Sequence, residues 1–212
     1  MRRRAVPFLA AVAGAVAAYA FVVRPWHLRW GATPEEVGGR LAGDELVPDP
    51  DLVATRAISI RAPASEVWPW IAQMGQGRGG LYSYDAVENL VGCDIHSADH
   101  IVASWQAVCV GDAFRLHPDV ALRVAAVEPG RALVISGGAP MGDTPPPYDF
   151  TWAFELRERP DGVTRLVVRE RYGYTERWSS FLVEPVEAVS FLMSQKMLRG
   201  IRDRAERASP QA

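Results

Sequence analysis

Cysteine is scarce. The 212-residue chain has two, Cys93 and Cys109, with no CxxC pair and no spacing that suits zinc. That excludes a scaffold stapled by several disulfides, and the plain expectation for each is a buried free thiol. An excess of either charge is lacking too. Acids number 25 and bases 23, for a formal net charge of −2, which leaves no footprint for nucleic acid. No internal repeat stands out. No Gly-Lys-Ser/Thr accompanies the glycines, so no nucleotide and no other cofactor is expected. Length and a hydrophobic content of 49% fit one ordinary domain with a segment to spare.

The spare segment is N-terminal. Arg2, Arg3 and Arg4 precede an uncharged run from Ala5 to Val23. At a rise of about 1.5 Å per residue the run approaches the ~30 Å of a bilayer core. Arg24, Trp26, His27, Arg29 and Trp30 follow, a mixture suited to a membrane interface. Residues 1–30 are thus read as a single-pass membrane anchor over 5–23 with its flank. Ala18-Tyr19-Ala20 keeps a cleaved signal peptide open. Three arginines before the run against Arg24 and Arg29 after it place the domain outside the cytoplasm. Residues 31–52 read as a connector with a short helix, whose start carries a capping box: Thr33 as cap, Pro34 first, Glu36 closing.

The domain, 53–208, is organised around Ala62 to Asp99. Ile58 and Ile60 alternate with Ser59 and Arg61 in a half-buried strand, and Pro63 ends it. Ser65 is the expected cap of a short helix carrying Val67, Trp68, Trp70, Ile71 and Met74, with Pro69 near its first turn. Gly75, Gly77, Gly79 and Gly80 then form a tight backbone corner, with Arg78 poised to pair with Asp85 or Glu88. Strands are predicted over 111–117, 121–128 and 131–136, and the last two join at Pro129-Gly130. A loop spans 137–148. A long hairpin turns at Pro160-Asp161-Gly162, and its second arm, 164–174, carries Leu166, Val168, Tyr172 and Tyr174 inward with Glu170 as the odd acid. A final helix, 184–207, has a stripe of Leu182, Val186, Val189, Met193, Met197 and Ile201. The order is α+β: an antiparallel sheet with its helices to one side.

Ile58-Ser59-Ile60-Arg61-Ala62-Pro63, the helix opening Ser65-Glu66-Val67-Trp68 and the long last helix resemble the START/SRPBCC superfamily. Its helix-grip fold is shared by pollen-allergen proteins, lipid-transfer START domains and polyketide cyclases. The resemblance covers about Val53 to Arg207. The run from Gln73 to Asp85, with Glu88-Asn89-Leu90, resembles a bacterial, often membrane-anchored subgroup. The resemblance implies a curved antiparallel sheet wrapped around the C-terminal helix, with a cavity between them for a lipid or other hydrophobic small molecule. In this chain the glycine loop follows the first helix rather than joining two strands, so the plant members' ligand contacts do not carry over.

Strand parity and the aromatic content nominate Tyr82, Tyr84, Trp152, Glu170 and Tyr172 as pocket residues, with Arg78 as a further polar point. No catalytic residue is assigned. Asp94, His96, Asp99 and His100 form the densest polar cluster. On a helix the two histidines would share a face, which is a metal seed, but the spacing matches no established signature and caps or turn bonds are the plain reading. Three functions follow in order. The first is anchored binding of an apolar molecule without chemistry, the second a cyclase/aromatase-like enzyme, and the third a ligand-free domain that docks a protein.

Overall fold

A computed structural model describes Gly14, residues 17–138 and residues 144–208. Six strands form one antiparallel sheet: β1 (Leu52–Ile60), β2 (Ala113–His117), β3 (Val120–Glu128), β4 (Ala132–Ser136), β5 (Tyr148–Glu158) and β6 (Thr164–Tyr174). Their order is β1-β6-β5-β4-β3-β2. The α-helices are α1 (Arg24–Leu28), α2 (Pro34–Gly38), α3 (Ala64–Ala72), α4 (Asp85–Leu90) and α5 (Ser179–Ala208). The long α5 packs on the inner face beside α3. The architecture is α+β and consistent with a helix grip.

The period of two sets the inner face. Cross-strand pairing aligns Leu52, Tyr172 and Phe150 in one row and Ala54, Glu170, Trp152 and Ile135 in the next. Arg56, Val168, Phe154 and Leu133 make a third. Against these rows lie Val67, Trp70 and Ile71 of α3 and Met197, Leu198 and Ile201 of α5, each no more than 3% exposed. Such packing supplies most of the stability, at about 1.5–3 kcal/mol per large apolar side chain.

The helix α3 begins two residues earlier than its sequence suggests, with Pro63 as its cap position. Ser65 does not cap it. The Ala64 N–H donates instead to Glu158 Oε1 of β5 at 2.9 Å, so the cap comes from across the sheet. Pro69 lies in the interior of α3, not its first turn. The glycine corner is closed by paired backbone bonds between Gly75 and Gly80. Gly80 is required there, with φ +74° and a Cβ that would stand 2.7 Å from Ser97 Cα. Gly200 gives α5 its close approach to the corner, since a Cβ there would collide with the Tyr82 carbonyl oxygen.

The outer face is covered by the connector. Its capping box forms as expected: Glu36 N–H donates to Thr33 Oγ1 at 3.3 Å, and Thr33 N–H to Glu36 Oε2 at 2.8 Å. Arg165 of β6 then binds Glu36 from below at 2.7 and 2.9 Å. Burial pushes the Glu36 carboxyl up, but Arg165 and the Thr33 N–H outweigh it and hold the group below the usual carboxylate range.

Three expectations need correction. The membrane assignment does not hold: among the described residues no helix is long and apolar enough to cross a membrane. The single-pass localisation and its extracytoplasmic orientation fall with it. Residues 5–13, 15 and 16 of the apolar run lie outside the described residues. The flank assigned to a membrane interface is occupied in docking α1. Arg24 pairs with Glu184 at 2.6 Å, Trp26 meets Phe191 edge-on, Leu28 is buried, and Trp30 lies under Arg199. Second, the thiols are free but not buried, Cys93 being half-exposed and Cys109 exposed. Third, the stripe of α5 is turned. Val186 and Val189 are 51% and 58% exposed, while Val183, Glu187, Phe191 and Ser194 face inward.

Candidate functional site

The polar centre of the molecule lies between the first strands and α5. Arg56 of β1 is 1% exposed. Its Nη1 donates to Glu170 Oε1 of β6 at 3.0 Å and to Ser194 Oγ of α5 at 3.4 Å. Its Nη2 donates to Glu187 Oε1 of α5. Its Nε donates to the His27 carbonyl of α1 at 3.2 Å. The guanidinium carbon also sits over the Phe191 ring, 5.4 Å from its centroid. One arginine thus ties together two strands, α1 and α5.

Glu170 gathers the remaining donors. Ser194 Oγ donates to it at 3.0 Å, Ser190 Oγ at 3.0–3.1 Å and the Tyr172 hydroxyl at 3.3 Å. Its carboxylate therefore has a full set of partners, which is what permits a charge at 3% exposure. Glu187 is less well served. His27 Nδ1 stands 3.1 Å from Glu187 Oε2, out of line for a hydrogen bond. Burial raises the Glu187 carboxyl to about 7, Glu170 adds to the rise, and Arg56 opposes it. Burial, then the charges of Arg56 and Arg24, lowers His27, so its imidazole is neutral at pH 7. Burial lifts the Tyr172 phenol well above its ordinary value, with Glu170 adding to the rise. The cluster is a buried hydrogen-bonding network in which burial holds one carboxyl at about 7.

The sequence candidates divide into two groups. Glu170 and Tyr172 meet in the cluster, and Trp152 lies directly across from Glu170 in the register. Trp152 is 9% exposed, packs edge-on to Phe114, and its Nε1–H has no partner among the described residues. The other three lie elsewhere. Tyr82 is core, its hydroxyl donating to the Trp70 carbonyl at 3.1 Å beneath Arg204. Tyr84 is 46% exposed, with Lys196 over its ring. Arg78 pairs with neither Asp85 nor Glu88. It donates to the carbonyls of Ala72 and Trp105, pinning the glycine corner.

His96 and His100 occupy irregular, exposed chain, each against its neighbouring aspartate at 3.2 and 2.7 Å. They share no helix face. No group of three metal-ligating side chains forms among the described residues.

Other members of the cluster escaped the sequence reading. Arg56 has the parity of Ile58 and Ile60, so an arginine on an apolar face was its signal and Glu170 its mate. Glu187 and Ser194 lie seven apart on one helical face, two polar residues on the side that turns inward. His27 had no signal of its own.

Glu88 of α4 is a second carboxyl raised by burial. It is 6% exposed and its Oε2 has no partner among the described residues. Burial, then Asp85, raises it to about 7. A carboxyl raised on folding keeps its stability at acid pH and loses it as pH rises through about 4.5 to 7. Glu88→Gln is therefore expected to stabilise the protein at pH 8 by up to about 3 kcal/mol. Thermal melts should show most of that gain gone by pH 5. A gain equal at both values would mean the group is ionised freely in the fold.

No family model matches the chain, and no curated protein matches it. Among solved structures it is similar to Zhui aromatase/cyclase from Streptomyces sp. R1128, at 15% identity over 74% of this chain and 94% of that one, with a TM-score of 0.47. It is also similar to CalU16 from Micromonospora echinospora, at 18% identity over 73% and 84%, TM-score 0.36. A third is MLL2253 from Mesorhizobium loti, at 16% identity over 74% and 99%, TM-score 0.42. Likeness this distant carries no argument about ligand or reaction.

Proposed function

We propose that the domain binds a small, predominantly apolar molecule between the sheet and α5, with its polar end at the Arg56–Glu170–Glu187 cluster. The observation that carries this reading is the set of buried polar atoms left without partners there. Trp152 Nε1, on the residue that pairs with Glu170 in the register, and His27 Nε2, at the other end of the cluster, are both unpaired among the described residues. A buried donor without an acceptor costs about 1–3 kcal/mol, and a guest supplies the missing partner. The surrounding aromatic rings of Phe150, Trp152, Phe154 and Tyr172 suit an apolar body.

The site is closed in this state, since Arg56, Glu170 and Glu187 are 1–3% exposed. Entry requires α1 to lift. That helix is short, and its ion pair from Arg24 to Glu184 joins side chains about one-third exposed, at 32% and 37%, so it is the weakest wall. A second reading is an acid–base enzyme of the cyclase/aromatase kind. The observation favouring it is the Glu187 carboxyl held at about 7, where it can take and return a proton.

Two measurements test the binding reading. Native mass spectrometry of the purified protein is expected to show a co-purifying small molecule. N-phenylnaphthylamine fluorescence is expected to rise saturably on titration, weaken in Trp152→Phe and Glu170→Gln, and develop faster in Trp26→Ala. A protein with no bound molecule and no saturable dye binding is a ligand-free docking domain instead.

A further inference from the structure

The outer face of the sheet carries a second, independent feature. Where the connector crosses β1 and β6 it leaves a pocket of about 520 Å³, within the range of small-molecule sites. Four arginines line it, Arg29, Arg40, Arg169 and Arg171, against two acids, Asp44 and Glu45. The local excess is therefore two positive charges. The four arginines differ in what they have left to give. Arg169 commits every N–H: to Thr55 Oγ1, to the carbonyls of Glu36, Val37 and Gly39, and to Asp44. Arg171 donates to the Val47 and Pro48 carbonyls and lies 3.3 Å from the same Asp44. These two are the floor. Arg29 and Arg40 are exposed, and their guanidinium groups have no partner among the described residues.

We propose that this pocket binds a small molecule bearing a phosphate monoester, with Arg29 and Arg40 grasping the phosphate. A guanidinium fork matches two phosphate oxygens at once, and two free forks match a dianion. The floor adds fixed positive charge that Asp44, shared between Arg169 and Arg171, only half neutralises. Val53 of β1 and Pro48 give the pocket an apolar side for the rest of the ligand. The inner-face cluster plays no part, so this site stands whether or not a guest occupies the grip.

Phenyl phosphate is the probe, titrated calorimetrically into the full chain at pH 8 and constant ionic strength, with benzoate as the monoanion of similar body. Phenyl phosphate is expected to bind saturably at one site and benzoate at least tenfold more weakly. Arg29→Gln with Arg40→Gln is expected to weaken phenyl phosphate binding by tenfold or more. Arg202→Gln with Arg207→Gln, an equal change of net charge on α5, should leave it within twofold. Glu45→Gln, which removes an opposing charge, is expected to tighten it. Absence of saturable binding, binding that survives the Arg29/Arg40 pair, or equal loss in the α5 pair would each overturn the proposal.

Discussion

Replacing Arg56 with methionine is expected to cost about 3–5 kcal/mol of stability, because it strands two buried carboxylates without their shared cation. Urea unfolding is the measurement, with an unchanged slope and a lower midpoint. The loss should grow with pH. Without the guanidinium nothing in the cluster opposes the burial that already holds Glu187 at about 7. A carboxyl that binds its proton more tightly folded than unfolded gives its stability at acid pH and surrenders it as pH climbs. Arg56→Met is therefore expected to be milder at pH 5 than at pH 8. Combining it with Glu170→Leu and Glu187→Met removes the stranded charges and should recover most of the loss, since an apolar set of similar volume replaces a buried ion network at little cost. That triple variant separates the cluster's part in stability from its proposed part in binding, for it should fold yet fail to bind the proposed guest. If Arg56→Met stays within about 1 kcal/mol of the parent at both pH values, the network is not coupled as its geometry implies.

The strands and the last helix were legible because their signals are local. Alternation over Phe150 to Leu156 and Leu166 to Tyr174 reports a half-buried strand wherever the neighbours lie. The same parity singled out Glu170 as an acid on an apolar face. What parity cannot report is the partner across space. Arg56 lies 114 positions from Glu170 and 131 from Glu187, and no period in the sequence links them. The stripe of α5 failed for a related reason. Counting apolar residues selected Val186 and Val189, but the helix turns to bring Glu187 and Ser194 to Arg56, so ion pairing decided the facing over half its length. The N-terminal flank shows the same limit in another form. Trp26, His27 and Trp30 beside arginines suit a membrane interface and suit a docked helix equally well in composition. Only the contacts with Glu184, Phe191 and Arg199 distinguish the two.

The connector offers the second large effect. Arg169→Ala is expected to cost about 3–4 kcal/mol, since it removes a fully bonded buried guanidinium and leaves three carbonyls without their donor. The carbonyls of Glu36, Val37 and Gly39 come from the end of α2 and the residue after it, where helix acceptors have no partner of their own. Arg169 is thus the C-terminal cap of α2, supplied from the sheet. Arg169→Lys should fall between, because an ammonium keeps the charge to Asp44 but has three donors at one point and cannot span the set. The failure should be local before it is global. Arg165 still holds Glu36 at the start of α2 and Arg171 still holds Val47 and Pro48, so the freed stretch runs from about Gly38 to Leu46. Limited trypsin digestion is expected to cut after Arg40 at a rate raised more than the urea midpoint falls. If the cut stays as slow as in the parent while the midpoint drops, Arg169 acts through the sheet core and the connector is held by Leu41, packed against Ala57 and Val167.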